Sequence, residues 1–208
     1  MTAATQTCAG SDAEAIEGSR RDPERFALLF DRHAGRLHRY VARRLGDGEA
    51  DDIVAETFLV AFRRRGGYDL ARPDALPWLY GIASNLIHRH RRTELSRYRT
   101  FARTGVLPDP PEGVAERAVE RVSAQSVGRR LAGAIAALPA RDRDVLLLVA
   151  WAELTYGQVA DALGLPVGTV RSRLNRARTK VREALGGADP TAFHDEAGHD
   201  DEDERGRR

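Results

Sequence analysis

LTYGQVADALGLPVGTVRSRLNRARTKVREAL, residues 154–185, decides the fold of its end of the chain. Thr155 to Leu163 has helical spacing, Gly164-Leu165-Pro166 makes a tight turn, and a longer amphipathic helix begins near Val167. A short helix, a glycine-containing turn and a second helix form the pattern of a helix-turn-helix, whose second helix enters the DNA major groove. At about 100° per residue, Val167, Val170, Leu174, Ala177, Val181 and Leu185 share one narrow arc and should be buried. The opposite face carries Gly168, Ser172, Asn175, Arg176 and Thr179, flanked by Arg171, Arg178 and Arg182 on one side and Thr169, Arg173 and Lys180 on the other. This geometry assigns Ser172, Asn175 and Arg176 to base edges with Arg171 assisting, and Thr169, Arg173, Arg178 and Lys180 to phosphates. An arginine-rich face alone is often only a solvated surface. The short leading helix and the Gly-Leu-Pro turn favour DNA.

Working outward, Asp142 to Trp151 reads as a strongly apolar helix, with Leu131, Ile135 and Leu138 leading into Pro139 before it. Periodicity stops at LPDPPEG, residues 107–113, and resumes in an earlier block of helices. There Phe26, Leu29, Phe30, His33, Leu37, Tyr40 and Val41 recur at helical steps after Asp22-Pro23, a cap and a first-turn proline, until Gly46 to Gly48. A second helix is expected from about Ala50 to Arg65, closed by Gly66-Gly67. A third begins near Trp78 with Leu79, Ile82, Ala83, Leu86 and His90 on a core stripe and Tyr80, Ser84, Asn85, His88, Arg91 and Arg92 on a polar arc, continuing through Arg97, Arg99 and Arg103. No strand pattern and no repeat appears. The expected class is all-α: two small helical domains joined by a flexible linker, the second containing the helix-turn-helix. The expected segments are a flexible N-terminus at 1–22, a first domain at 23–103, a linker at 104–128, a second domain at 129–185 and an acidic disordered tail at 186–208.

Charge follows the same division. The 208 residues carry 33 cations and 31 carboxylates, a net charge of +2. Residues 186–208 hold eight of those carboxylates against three arginines, so the body before them is distinctly basic. Lys180 is the only lysine, and arginine is the cation suited to bidentate phosphate and base contacts. The longest apolar run, Val145 to Ala152, is far below the roughly 20 residues a membrane helix needs, and no signal-peptide pattern opens the chain, so a cytoplasmic protein without membrane insertion is expected. Cys8 is the sole cysteine, which excludes an internal disulfide and a cysteine-rich metal site.

With these residues in place, LPARDRDVLLLVAWAELTYGQVADALGLPVGTVRSRLNRARTKVREAL (138–185) resembles region four of bacterial RNA polymerase sigma factors of the extracytoplasmic-function group. DDIVAETFLVAF (51–62) resembles their region-two helix that docks on the polymerase clamp, and LPWLYGIASNLIHRHRR (76–92) the adjoining promoter-reading helix. The resemblance implies a non-enzymatic protein that binds core RNA polymerase, places its second domain on the −35 element and opens the −10 element with its first. It implies polymerase contacts at Asp51, Asp52 and Glu56, and −10 contacts at Asn85, near a base turned out of the stack, with Tyr80 or Trp78 for stacking and His88, Arg91 and Arg92 for the backbone. The loop Gly67 to Leu76 would read that base. An anti-sigma protein is a common further partner in the group, and no cofactor or metal is implied. Two residues depart from the pattern: Ala55 replaces a frequent glutamine and Gly81 a frequent arginine or lysine.

Two other readings compete. A helix-turn-helix regulator without a sigma role explains Thr155 to Leu185 equally well, but leaves the clamp-like and Asn85 helices without a purpose. An enzyme acting on nucleic acid with a metal on Asp51, Asp52 and Glu56 would use ligands suited to hard cations, yet no catalytic base lies near them, and His88 and His90 diverge on a helix.

Overall fold

The computed structural model describes residues 10–104 and 118–186; the proposed tail beyond Gly186, the first nine residues and the stretch 105–117 lie outside the described residues. Among the described residues there are nine α-helices and no strand, as expected.

The first helix was not expected. Residues 1–22 read as a flexible end, but α1 (Asp12–Gly18) is closed by a reciprocal capping box between Ser11 and Glu14, and Ala13, Ala15 and Ile16 are buried. Three apolar residues in a short polar stretch give little periodicity, so the signal lay in the Ser-x-x-Glu spacing. Asp22 then caps a 3₁₀ turn at Pro23–Phe26, and α2 runs Ala27–Leu45. The expected loop at Gly46 to Gly48 shrinks to one residue: Gly46, at φ +103°, ends α2 and begins α3 (Asp47–Arg64). Only glycine takes that backbone conformation without strain.

A 3₁₀ turn at Arg65–Gly67 and a loop lead into α4 (Leu76–Arg89), with Pro77 in its first turn. The third helix does not continue unbroken. His90, expected on the core stripe, is only half-buried and caps α4, and α5 (Arg91–Thr104) starts afresh. The α1–α4 core is closed by Leu29, Leu37, Val41, Ile53, Phe58, Leu79 and Leu86 and by edge-on ring pairs Phe26–Phe62 and Tyr40–Tyr80, with centroids 5.3 and 5.1 Å apart.

The second block is α6 (Ala118–Ala137), α7 (Ala140–Ala150), α8 (Tyr156–Leu163) and α9 (Val167–Ala184). Helix α6 begins inside the segment assigned to the linker, because residues 118–128 are already helical. Thr155 and Gln158 form a capping box on α8, and Gly164 ends that helix at φ +62°. The forecast stripe of α9 is right in its centre, where Val170, Leu174, Ala177 and Val181 are buried. They pack with Val145, Leu148 and Val159. Val167, at its edge, is exposed.

The two helical domains pack against each other. Helix α5 packs on α6 and α4 on α8, so one continuous set of buried residues runs through both. At their contact Arg44 and Arg143, each 1% exposed, meet the buried carboxylates of Glu94 and Asp144.

Candidate promoter and polymerase interfaces

Burying one stripe of α9 fixes which side faces out. Arg171, Ser172, Asn175, Arg176, Thr179 and Lys180 are exposed, whereas Arg173 and Arg178 are half-buried and Thr169 lies partly covered at the start of the helix. The outward face thus holds an amide, a hydroxyl and guanidinium groups, the donors that read base edges. Ser172 bonds back to the Thr169 carbonyl at 3.0 Å, and Arg176 Nη2 lies 3.3 Å from Asp142 Oδ1 while remaining mostly exposed. That reach toward Asp142 orients the guanidinium without covering it. Arg178, expected to meet phosphate, has its Nε and Nη2 buried.

The predicted −10 residues divide. Asn85, Arg91 and Arg92 are exposed on α4 and α5. Tyr80 is not available as a contact: it is 1% exposed, packed edge-on against Tyr40, and its burial pushes the phenol up to about 12. Equal angular spacing put Tyr80 on the polar arc, but α4 is covered on that side too. Trp78 is half-buried against Tyr68, ring centroids 4.9 Å apart. His88 does not reach freely toward a backbone, because Nε2 sits 2.6 Å from Asp144 Oδ2 of α7. That hydrogen bond holds the imidazole above its usual range, against a smaller opposing effect of burial.

The loop between Gly67 and Leu76 is braced by a residue that sequence reasoning missed. Asp12, in α1, accepts from the Ala75 amide at 2.9 Å, from His33 Nε2 at 2.7 Å and from Arg32 Nη1 at 2.9 Å, while its own amide donates to the Pro73 carbonyl at 3.0 Å. Burial alone would raise this carboxyl, but the His33 and Ala75 hydrogen bonds and Arg32 outweigh it and bring it down to about 2. Asp12, His33 and Asp74 come close enough together to hold a metal ion. The Asp12 oxygens are already used by Arg32, His33 and the loop amide. Tyr68 seals the same loop from inside, its hydroxyl donating to the Arg72 and Asp74 carbonyls at 2.8 and 3.1 Å.

On α3, Asp51 and Asp52 are exposed beside Ala55 and Leu59, an acidic and partly apolar ridge. His38 lies 3.3 Å from Asp51, and Glu56 pairs with Arg89 of α4 at 3.1 Å. Both are surface pairs that salt screens, so the carboxylates stay available to basic groups of a larger partner.

Comparison with known proteins agrees with this layout. Residues 29–97 match the family model described as Sigma-70 region 2, and residues 128–181 the model described as Sigma-70, region 4. The chain is 30% identical over 177 residues to the ECF RNA polymerase sigma factor SigK of Mycolicibacterium vanbaalenii, covering 84% of this chain and 89% of that protein. It is 35% identical over 159 residues to the ECF RNA polymerase sigma factor SigL of Mycobacterium tuberculosis, covering 76% and 86%. Among solved structures, CnrH in complex with the cytosolic domain of CnrY is similar at 27% identity and a TM-score of 0.54, over 84% of this chain and 94% of that one. The RpoE of Bartonella quintana, solved with the anti-sigma factor NepR, shares the fold at 19% identity and a TM-score of 0.54, over 77% and 96%. The match of residues 29–97 accounts for the two helices that a plain helix-turn-helix regulator would leave idle.

Proposed function

The chain belongs to the extracytoplasmic-function sigma factors of bacterial RNA polymerase and directs promoter-specific initiation, and we propose how its residues divide that work. The second domain, from about 129 to 185, reads the −35 element through Ser172, Asn175 and Arg176 with Arg171 assisting, while Thr169, Arg173, Arg178 and Lys180 hold phosphates. The first, from about 23 to 103 and braced by α1, captures the −10 element through Asn85, Arg91, Arg92 and the loop Gly67 to Leu76, with His88 released for the backbone once Asp144 moves away. Asp51, Asp52 and Glu56 face basic groups on core polymerase. The chain adds no catalytic group to the nucleotidyl transfer, which is the polymerase's, and acts in the cytoplasm where polymerase and DNA meet. An anti-sigma protein is a further partner, a reading supported by the similar fold of RpoE, which was solved in complex with the anti-sigma factor NepR.

The observation carrying this reading is the outward face of α9, held in place by a buried stripe directly behind it. Its test is reconstituted transcription with core polymerase on a promoter bearing both elements. Arg176→Ala should lose discrimination at particular −35 positions by about 1 to 3 kcal/mol, whereas Lys180→Ala should weaken all sequences alike and lower the salt slope by about 1. Equal effects of the two substitutions on every sequence would refute the assignment.

A further inference from the structure

The loop assigned to the −10 element, Gly67 to Leu76, is shaped by its own short turns. Asp69 accepts from the Ala71 amide at 3.1 Å, the Arg72 amide donates to the Asp69 carbonyl at 3.1 Å, and Asp74 accepts from the Leu76 amide at 2.9 Å. Together with the Tyr68 hydroxyl on the Arg72 and Asp74 carbonyls, these bonds reach at most six residues along the chain. They bend the loop but do not tie it to the body of the domain.

Helix α1 ties it at both ends. Where the chain leaves α3 for the loop, Arg20 Nη2 donates to the Gly66 carbonyl at 3.1 Å, and Arg65 Nε donates back to the Ser19 carbonyl at 3.4 Å. Where it enters α4, the Asp12 amide donates to the Pro73 carbonyl at 3.0 Å, and the Asp12 carboxylate accepts from the Ala75 amide at 2.9 Å. These anchors lie at the start of α1 and two residues past its end, on a seven-residue helix about 10 Å long. Without them, the chain from Gly66 to Ala75 could place its ends anywhere up to about 30 Å apart.

The clasp is itself fixed in the domain. Ala15 and Ile16 are in the core, and Ser19 Oγ donates to the Ile16 carbonyl at 2.6 Å. Arg32 and His33 of α2 meet the Asp12 carboxylate at 2.9 and 2.7 Å. Covering the core asks only for the apolar side of α1. A carboxylate that is 6% exposed is unfavourable there unless its donors offset the lost water, and one of those donors is an amide at the end of the loop.

We propose that α1 is a specificity element of the −10 contact, whose Asp12 and Arg20 clasp the two ends of the loop in the one conformation that favours its preferred base. Reading a base turned out of the stack needs donors and acceptors held to within about 0.5 Å. Asp69, Arg72 and Asp74, around the cleft of about 410 Å³ that Tyr68 and Trp78 also line, are the groups held in this way. Asp12 acts through the loop backbone and is a positioning residue. The inference rests on the role given above to the loop.

The test is initiation by the full chain with core polymerase on promoters that share one −35 element and differ at single −10 bases. Asp12→Ala should reduce the rate ratio between the best and the substituted −10 sequences by about threefold or more, while preference among −35 variants stays at its parental value. Arg20 is exposed, so Arg20→Ala carries the same test if Asp12→Ala does not fold. It should flatten the same ratio, and Arg20→Lys, which can still donate to the Gly66 carbonyl, should restore it. A folded variant of either residue that slows all −10 sequences alike, with the ratio unchanged, would make α1 a structural support only and overturn the proposal. Asp69→Ala, inside the loop, separates the two readings. If it changes −10 preference and the α1 variants do not, the loop reads the base but α1 does not set its choice. If no substitution in the loop or in α1 changes that preference, the role of the loop fails and this inference fails with it.

Discussion

Asp144→Asn isolates the charge that ties the domains together. Asp144 is 2% exposed and accepts from Arg44 Nη2 at 2.8 Å and from His88 Nε2 at 2.6 Å, both across the interdomain contact. Burial would raise its carboxyl, but the His88 hydrogen bond and the Arg44 charge outweigh that and hold it below the usual carboxylate range. Asparagine keeps the shape and one acceptor oxygen but removes the charge, leaving two buried guanidinium groups to share Glu94. Removing one partner of a buried pair costs about 3 to 5 kcal/mol. Glu94 still faces both arginines, so the lower end applies, and about 3 kcal/mol corresponds to roughly a hundredfold weakening of the interdomain contact. The assay is energy transfer between dyes placed on exposed positions of α3 and α9, read without DNA or polymerase. The variant should show a longer mean distance with its helical content retained. If the distance stays at its parental value in a folded variant, the network does not hold the domains together and the reasoning is wrong.

Other outcomes follow from single contacts. His88 faces Asp144 of α7, with Arg44 of α2 and Glu94 of α5 nearby, and the raised position of its imidazole means that the protonated form strengthens the interdomain contact. The contact should therefore be at full strength below the ordinary histidine range, about pH 6.5, and weaken as pH rises through the higher value held in the fold; energy transfer against pH checks this, and His88→Gln should flatten the curve. Leu174→Ala removes a side chain that is 2% exposed from beneath α9 and should cost about 2 to 5 kcal/mol, read as a lower melting temperature and lost −35 binding. Asp12→Asn should destabilise the first domain by about 2 kcal/mol at neutral pH, as judged by denaturant unfolding. Because the Asp12 carboxyl is depressed to about 2 in the fold, that contribution is present above the ordinary aspartate range and lost as pH falls toward 2, so parent and variant should converge in acid.

Most of the helices, their order and the faces of α9 were legible from residue spacing, because a buried stripe needs only local periodicity to show itself; α1, with a short stripe, was not. Val170, Leu174, Ala177 and Val181 recur at helical steps whatever lies behind them, and the residues opposite must then face out. Capping pairs such as Thr155 with Gln158 are equally local. The same logic misplaced Tyr80 and did not show that His88 meets Asp144. Spacing can say which side of a helix is polar, but not that a second domain covers that side.

What only the tertiary structure decided is the contact between the blocks. Arg44, Glu94, Arg143 and Asp144 look in sequence like ordinary solvated charges, since nothing within a few residues of each is unusual. Fifty residues separate Arg44 from Glu94 and a hundred separate it from Asp144. Burying a charge is unfavourable until its partners arrive, so the pairing exists only once α2, α5 and α7 are assembled. The chain's local pattern determined two helical domains and the faces they turn outward; long-range charge matching in a water-excluded contact decided how the two pack together.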